Sequence, residues 1–459
     1  MIEAGREYYA QISDMALPSG HGVTRLERMV VFVPGAVPGD RVRLRVARLR
    51  PGFAYGELVT IEEESPDRVR PACPHFGACG GCDLQALSYE VQLKIKENHL
   101  AQVLRRVGGQ DLEEVVIAPI VPSVDAFFYR GKVEFSFGET DGRVSLGLSE
   151  RVSPFRASKG GIVPVEGCAL FSPVAAKALP LVRRWLRGTD LRAYNPMTGE
   201  GTLKRLVLRE AKMTGEAMCH FIAASDLGSR LEDLKLKLPK AAPQIKSFYA
   251  TGETCRLLWG KPAIDDLLGD LRLRIYPFSF FQPNPKTAAM LYERLIATAG
   301  LTGAESVAGL YCGAGTIELF LSRLVKAATG IDSSPESIEA AQENARLNGL
   351  SNCVFLADKA ERAASRFKGG TIDLLVVDPP RKGLTREALA AACDIRPEKM
   401  AYISCNPATL ARDLLSLKEV YKARLIVPFD FFPHTCHFEV LAFLERRRRS
   451  KHQGFSKDL

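Results

Sequence analysis

Residues 306–332 read SVAGLYCGAGTIELFLSRLVKAATGID, and this stretch decides the fold of the C-terminal part of the chain. The apolar run SVAGL is followed by a loop with two glycines, then by a helical pattern, and a second apolar run ends at Asp332. Glycine lets the backbone approach a ligand closely, and an acidic residue about 20 positions further on suits ribose hydroxyls. The stretch therefore predicts a strand, loop, helix and strand that bind a ligand with a ribose.

The same alternation continues to the end of the chain. Apolar runs typical of strands are SVAGLY, AATGID, TIDLLVVD, MAYISC and VLAFLE, and helical patterns alternate with them at 285–298, 335–348 and 385–393. Strands that alternate with helices predict a doubly wound α/β sheet, and such sheets bind ligands at the carboxyl ends of their strands. We expect VLAFLE to form an edge strand of this sheet.

The glycine loop favours one cofactor over another. Gly313 and Gly315 are present, but the third glycine typical of nicotinamide dinucleotide sites is replaced by Glu318. S-adenosylmethionine fits better, because it has a ribose to hold and no pyrophosphate to cradle. A tight turn without any ligand remains the alternative.

Two further loops follow strands of the same sheet. Asp378 begins DPPRKG, and Cys405 lies in SCNP, directly before a helical run that starts at Pro407. Both side chains should meet at one edge of the sheet. A cysteine whose pKa is lowered is a strong nucleophile, and a helix start contributes to that lowering. A cysteine that only packs in the core is the alternative.

Glu439, in HFE before the last strand, completes a possible reaction. Adding a thiolate to C6 of a pyrimidine lets C5 attack the methyl group of S-adenosylmethionine, and a base must then remove the C5 proton. Cys405 would be the nucleophile and Glu439 the base, with a pKa raised by burial. Methylation of an amino group through Asp-Pro-Pro is an alternative, but Arg381 stands where such sites usually have an aromatic residue. That chemistry needs neither Cys405 nor Glu439.

Composition indicates a polyanionic partner. Lys and Arg number 62 against 53 Asp and Glu, and RVRLRVARLR at 41–50 alternates arginines with apolar residues. The first 62 residues read as short strands with Gly and Pro turns, typical of a small barrel that binds nucleic acid. No apolar run approaches a membrane span of about 20 residues, and the start resembles no signal peptide. We expect a cytoplasmic monomer that binds RNA and no membrane.

The motifs together resemble the RNA (uracil-5-)-methyltransferase family. The matching pieces are FFQPNP (280–285), LYCGAGT (310–316), GIDSSPESIEAAQENARLNG (330–349), DPPRKGL (378–384), SCNPATLARDL (404–414) and HFE (437–439). The N-terminal barrel resembles a TRAM domain. The resemblance implies a multidomain α/β protein with a TRAM barrel (1–62), a central α+β domain (63–274) and a Rossmann-like methyltransferase domain (275–459), with helix 89–107 packing on the last.

The resemblance also implies roles for individual residues. Cys405 would be the nucleophile and Glu439 the base. Phe280 would stack on a flipped base. The residues expected around the cofactor are Gln282, Tyr311, Gly313, Gly315, Thr316, Asp332, Asp358 and Asp378, of which Gln282 and Asp378 would also meet the target base. One position departs from the family pattern, because Gly309 stands where an Asp is usual, which removes a charge near the cofactor.

A separate set of cysteines indicates a metal site. An odd total of 11 cysteines argues against a disulfide framework. Cys73, Cys79 and Cys82 lie in CPHFGACGGC, and Cys168 would supply a fourth thiolate, for zinc or for an iron–sulfur cluster. We interpret the other cysteines (219, 255, 312, 353, 393 and 436) as packing residues.

The family resemblance favours a [4Fe–4S] cluster at these four cysteines. With the TRAM barrel it indicates 23S ribosomal RNA as the substrate. The alternatives are uridine-5 methylation of tRNA and a non-catalytic role in RNA binding or ribosome assembly.

Overall fold

The computed structural model describes residues 2–108, 115–140, 142–155, 161–367 and 371–447. They fall into two compact units. The first holds the described residues up to Lys96, those of Pro122–Ala288, and Asp430–His437; the second holds those of Glu97–Val121, Ala289–Phe429, and those from Phe438 onward. These units do not follow the expected boundaries at 62 and 274, and the three-domain division stays a prediction. In the described part of the chain, no helix is both long and apolar enough to cross a membrane.

The first unit begins with a six-stranded sheet, which we call the N-terminal sheet. Its strands are β1 (Glu7–Gln11), β2 (Asp14–Ala16), β3 (His21–Leu26), β4 (Met29–Val33), β5 (Arg41–Arg50) and β6 (Phe53–Glu63), in the order β1-β5-β6-β4-β3-β2. The predicted alternation in β5 is confirmed, since Val42, Leu44 and Val46 are buried. Its outer arginines are partly neutralised, because Arg45 pairs with Glu7 at 2.7 Å and Arg41 with Glu63 at 2.6 Å.

Helix α1 (Tyr89–Gly108) and the short strand β7 (Val116–Ile117) follow in the chain. The first unit continues with a seven-stranded sheet in the order β10-β9-β8-β11-β12-β13-β14, and with the hairpin of β15 and β16. The bounds are β8 (Lys132–Thr140), β9 (Arg143–Ser149), β10 (Ile162–Val163), α2 (Pro173–Arg187), β11 (Leu203–Glu210), β12 (Ala217–Ala223), α3 (Glu232–Ala241), β13 (Ile245–Thr251), β14 (Cys255–Gly260), β15 (Ile264–Leu268) and β16 (Leu271–Ile275). Helices α2 and α3 pack on the apolar face of this sheet through residues such as Val182 and Leu234.

The second unit is built on an eight-stranded sheet. Its remaining elements are α4 (Pro285–Ala299), β17 (Ser306–Leu310), α5 (Thr316–Ser322), β18 (Ala327–Asp332), α6 (Pro335–Leu347), β19 (Cys353–Ala357), α7 (Ala363–Arg366), β20 (Leu374–Val377), α8 (Arg386–Ile395), β21 (Lys399–Ser404), α9 (Pro407–Leu417), β22 (Tyr421–Phe429) and β23 (Glu439–Arg446). The strand order is β19-β18-β17-β20-β21-β23-β22-β7. Strands β17 to β21 run parallel, whereas β23 is antiparallel to both of its neighbours.

This order confirms the alternating α/β sheet and corrects one detail. The last strand, β23, was expected at an edge, but it lies between β21 and β22. Its residues Val440 to Leu444 are consequently buried. The strand that β23 pairs with on its far side, β22, was not predicted from the sequence.

Candidate active site

Three loops of the second unit meet at the carboxyl edge of the parallel strands. β17, β20 and β21 are neighbours in the sheet, and they are followed directly by Tyr311, Asp378 and Cys405. β23 runs in the opposite direction, so it begins at the same edge with Glu439. The topology thus brings together side chains that are up to 128 positions apart in sequence, Glu439 being the farthest from Tyr311.

Cys405 and Glu439 are neighbours across two antiparallel strands. The last residue of β21, Ser404, pairs with Val440, so Cys405, one residue past the end of β21, lies across from Glu439, the first residue of β23. The pKa of the Cys405 thiol is raised to about 11, first by burial and then by Glu439, while Arg381 opposes the rise. The expectation of a lowered pKa at this helix start is therefore wrong for the protein without ligands. Burial next to a carboxylate outweighs the contribution of the helix.

The two carboxyl groups beside Cys405 are also shifted. Burial raises the pKa of Asp378 to about 7. Burial and then the nearby Asp378 raise the pKa of Glu439 well above its ordinary value, with Arg381 opposing. A raised pKa makes Glu439 a strong proton acceptor once it is ionised, which suits the general base expected from the sequence.

Helix α9 holds the two loops around Cys405 in place. Asn406 caps the helix, with its side chain accepting a hydrogen bond from Ala408 N–H, and its Nδ2 donates to the Arg381 carbonyl at 3.1 Å. Buried Asp413 accepts hydrogen bonds from Leu384 N–H at 2.8 Å and from the Tyr402 hydroxyl at 2.6 Å. These bonds fix the loop of residues 378–384 against the segment that carries Cys405. Sequence reasoning did not identify Asp413.

The glycine loop is braced by the acidic residue that follows it. Tyr311 and Gly313 both have left-handed backbones, with φ of 62° and 53°. Gly313 N–H donates to Asp332 Oδ2 at 2.9 Å, and Ser334 N–H donates to Asp332 Oδ1 at the same distance. Asp332 is half-buried, and each carboxylate oxygen can accept more than one bond. It can therefore hold the loop and still accept from ribose hydroxyls.

The other residues expected around the cofactor have different surroundings. Gly315 leaves no room for a side chain, since a Cβ there would lie 2.5 Å from the Phe355 ring. Thr316 is buried, and its hydroxyl lies 3.4 Å from that of Tyr292 on α4. Asp358 is bound to Arg366, whose Nε donates to it at 2.7 Å. Their cofactor roles stay predictions.

A second buried carboxyl group in this unit was not assigned a role from the sequence. Glu318, in the first turn of α5, is 1% exposed and lies against Gly309 of β17. The signal was present, because Glu318 is the single charged residue in TIELFLS. A lone charge inside an apolar helix is costly unless something compensates it.

Phe280 and Gln282 belong to the first unit. Phe280 is 56% exposed, and Gln282 is half-buried; both lie in the segment between β16 and α4. Gly131 N–H donates to the carbonyl of Pro283 at 2.8 Å, and Asn284 is buried and donates to Ser123 Oγ at 2.9 Å. The segment is thus anchored on the C-terminal side of exposed Phe280. A stacking role for Phe280 stays a prediction.

The four cysteines proposed as ligands line one cavity of about 430 Å³ in the first unit. Polar hydrogens point at two of the sulfurs, since Gln85 Nε2 lies 3.1 Å from Cys82 Sγ and Gly81 N lies 3.4 Å from Cys79 Sγ. Such donors suit thiolates bound to a positive centre. Within the described residues, no three His, Cys, Asp or Glu side chains form a group that could hold a metal ion. Of the six cysteines interpreted as packing residues, Cys255 is exposed, and that interpretation is wrong for it.

The fold and the carboxyl-edge site define an S-adenosylmethionine-dependent methyltransferase. The model of the tRNA (uracil-5-)-methyltransferase family matches residues 269–447, and that of the TRAM domain matches residues 3–59. The chain belongs to the RNA (uracil-5-)-methyltransferase family. Its reaction is S-adenosylmethionine-dependent methylation of uracil C5 in RNA.

Relatives in other organisms match nearly the whole chain. An uncharacterized RNA methyltransferase of Clostridium acetobutylicum is 34% identical over 97% of this chain and 98% of its own length. One from Halalkalibacterium halodurans is 35% identical over 93% of this chain and 94% of its own. The crystal structure of Pyrococcus abyssi tRNA (uracil-54, C5)-methyltransferase with S-adenosyl-L-homocysteine is similar to this chain, with a TM-score of 0.73 and 27% sequence identity. The match covers 95% of this chain and 100% of the Pyrococcus abyssi chain.

Proposed function

We propose that this enzyme methylates C5 of a uridine in 23S ribosomal RNA, with Cys405 as nucleophile and Glu439 as base. The observation that carries the proposal is the register of β21 and β23, which sets these two side chains next to each other beside Asp378. An amino-group methyltransferase has no use for this pair.

The reaction follows from the chemistry of the three groups. Cys405 loses its thiol proton to water, and its thiolate bonds to C6; the electrons of the C5–C6 double bond move into an enolate, which makes C5 nucleophilic. C5 takes the methyl group of S-adenosylmethionine, and S-adenosylhomocysteine leaves. Glu439 then removes the proton from C5, and the electrons of that bond restore the C5–C6 double bond as the sulfur leaves. Asp378, half-buried beside Cys405, would accept a hydrogen bond from uracil N3–H.

The raised pKa of Cys405 gives the cofactor a second task. A thiol with a pKa of about 11 is almost wholly protonated at neutral pH. The sulfonium of S-adenosylmethionine brings a positive charge to the edge where Cys405 lies, and a nearby positive charge lowers a thiol pKa. We therefore expect Cys405 to ionise mainly after the cofactor is bound.

The four cysteines would hold a [4Fe–4S] cluster. They line one cavity and two of their sulfurs face polar hydrogens, as cluster thiolates do. Methyl transfer moves no electrons, so the cluster would act as a cross-link between the segment of residues 73–82 and the loop at Cys168. In this scheme residues 1–62 and 63–274 bind and position the RNA, and 275–459 carry the reaction.

A second candidate for the RNA substrate is tRNA. The similar Pyrococcus abyssi enzyme acts on tRNA and covers 95% of this chain, so the N-terminal sheet does not separate the two substrates. Likeness of CPHFGACGGC to the ribosomal members favours 23S RNA, whereas this structural match favours tRNA.

A trapping assay tests mechanism and substrate together. The protein is incubated with S-adenosylmethionine and either 23S RNA fragments or tRNA, each carrying 5-fluorouridine, because fluorine at C5 cannot be removed as a proton. We expect a covalent complex with a 23S fragment that is absent in Cys405→Ala and present in the matched control Cys393→Ala. A complex formed with tRNA alone would move the substrate to tRNA. No complex with either RNA would favour a non-catalytic assembly factor.

A further inference from the structure

Gly309 and Glu318 share one space in the second unit. Gly309 is the fourth residue of β17, and a Cβ built on it would overlap Oε1 of Glu318. Glu318 comes from the first turn of α5, the helix that follows the glycine loop. The carboxyl group of a helix residue therefore occupies the place where a side chain of the strand would lie.

The Glu318 carboxyl group is held where its charge has little compensation. Its Oε2 is buried and has no hydrogen-bond partner among the described residues. Burial raises the pKa of Glu318 to about 8, its own backbone N–H opposes the rise, and Asp378 and Asp332 add to it. A buried acid without a partner is destabilising, so a role that depends on its charge would explain its presence.

The strand order indicates which part of the bound cofactor would lie nearest to Glu318. Asp332 ends β18, where the ribose is expected, and Cys405 follows β21, where the methyl group must be delivered. β17 and β20 lie between these two strands. The cofactor must therefore extend across β17 and β20 from its ribose to its sulfonium. Glu318 lies against β17 and within electrostatic reach of Asp332, at the ribose end of that path, and of Asp378, which follows β20.

We propose that Glu318 is the electrostatic partner of the positively charged methionine end of S-adenosylmethionine, acting from α5 in the space that Gly309 leaves open. This end carries an ammonium and a sulfonium, and either would stabilise the ionised carboxylate. The carboxylate in turn would stabilise the bound cation in a site of low dielectric. The proposal rests on the proposed cofactor site and assigns a residue that neither the glycine loop nor the ribose-binding acid identifies.

Three ligands separate this role from a structural one. S-adenosylmethionine carries both positive groups, S-adenosylhomocysteine only the ammonium, and 5′-methylthioadenosine neither, although all three have the same adenosine. Glu318→Gln keeps the shape and removes the charge. By calorimetry we expect this variant to bind S-adenosylmethionine about tenfold more weakly and methylthioadenosine as the wild type does. Weaker binding of S-adenosylhomocysteine as well would identify the ammonium as the partner.

Two further variants keep the test decisive. In Gly309→Asp/Glu318→Ala the carboxylate returns to the strand, and affinity for S-adenosylmethionine should recover relative to Glu318→Ala alone. Asp332→Asn should weaken all three ligands, because all contain the ribose; if it weakens none, the proposed cofactor site itself is wrong. Equal losses for all three ligands in Glu318→Gln, or no loss for any, would overturn the role of Glu318 while leaving that site intact.

Discussion

Cys405, which directly follows β21, and Glu439, which begins β23, take the positions next to the Ser404–Val440 pair. After burial, Glu439 is the largest influence that raises the pKa of Cys405. A site that adjoins paired strands keeps its geometry better than one built on loops alone. This placement suits the two proposed steps, which would occur at adjacent carbon atoms of one ring.

Removing the base should stop the reaction after methyl transfer. In Glu439→Gln, the C5 proton cannot be abstracted, so the bond between Cys405 and C6 cannot break. We predict that this variant accumulates a covalent complex with ordinary uridine RNA, visible as a band of lower mobility on a denaturing gel. Cys405→Ala should form none, and Cys393→Ala should turn over like the wild type. Full turnover by Glu439→Gln would assign the base to another group.

Replacing the buried acid at 318 should change stability in a pH-dependent way. The folded-state pKa of Glu318 is about 8, against an ordinary value of 4.5. Its protonated form therefore contributes stability that is fully present below pH 4.5 and lost as the pH rises to about 8. We predict that, as the pH rises through this window, Glu318→Gln becomes more stable relative to the wild type, by up to about a few kcal/mol in the free energy of unfolding. Urea titrations at several pH values measure this difference.

The titration of neighbouring groups contributes to the stability of both proteins, so it largely cancels in this difference. The groups on other elements that interact with Glu318 are Asp378, Asp332, Cys312 and Cys353. A difference that does not vary with pH would mean that Glu318 does not titrate in this window. Gly309→Asp alone should be less stable than the wild type, because its side chain would overlap Glu318 and add a second buried acid.

Loss of one cavity cysteine should remove the cluster. Protein purified without oxygen should contain iron and acid-labile sulfide in equal amounts and absorb broadly in visible light. Cys168→Ser should lose all three signals, because one of four thiolates is missing. Cys255→Ser is the matched control, since that thiol is exposed and lies outside the cavity. Zinc in place of iron in the wild type would contradict the cluster.

The N-terminal sheet should bind RNA through an aromatic surface rather than through its paired arginines. Phe32, Phe53 and Tyr55 contact one another with ring centres 5.7–5.8 Å apart, and all three are half-buried. The register sets Arg48 beside Tyr55 and Arg50 beside Phe53. Exposed arginines beside aromatic rings are typical of surfaces that stack bases and contact phosphates.

Phe53→Ala/Tyr55→Ala should therefore weaken RNA binding by about tenfold, at the lower end of stacking energies for one base. Affinity for S-adenosylmethionine should not change. Arg48→Ala/Arg50→Ala should reduce the dependence of RNA affinity on salt, because fewer phosphates are neutralised. Tyr9→Ala, at an exposed tyrosine on β1, is the control. Unchanged RNA affinity in the aromatic variant would place the RNA elsewhere.

Local patterns were enough to predict much of the second unit. The apolar runs before Tyr311, Asp378 and Cys405 are strands, and each of these residues follows its strand at the carboxyl edge. The alternation of Val42, Leu44 and Val46 likewise predicted which face of β5 is buried. These features depend on residues close in sequence, whose periodicity reports burial directly.

Strand order could not be predicted in the same way. The register of β22 depends on its pairing with β23. Strand β7 joins the sheet by pairing with β22, which lies far away in sequence. The position of β23 inside the sheet, not at its edge, follows from these long-range pairings. It also explains why Glu439 has so high a pKa, since desolvation depends on what covers a side chain.

The sequence by itself determined the family of this protein and the order of its candidate groups: the glycine loop, Asp378 and Cys405 each follow a strand, Glu439 precedes the last one, and four cysteines lie in two segments. Only the tertiary structure decided how these groups behave. It set Glu439 beside Cys405, and burial there raises the pKa of the thiol, contrary to the expectation for a helix start. It also filled the space above Gly309 with Glu318. Spacing along a chain specifies local conformation, whereas desolvation and charge depend on residues that only folding brings together.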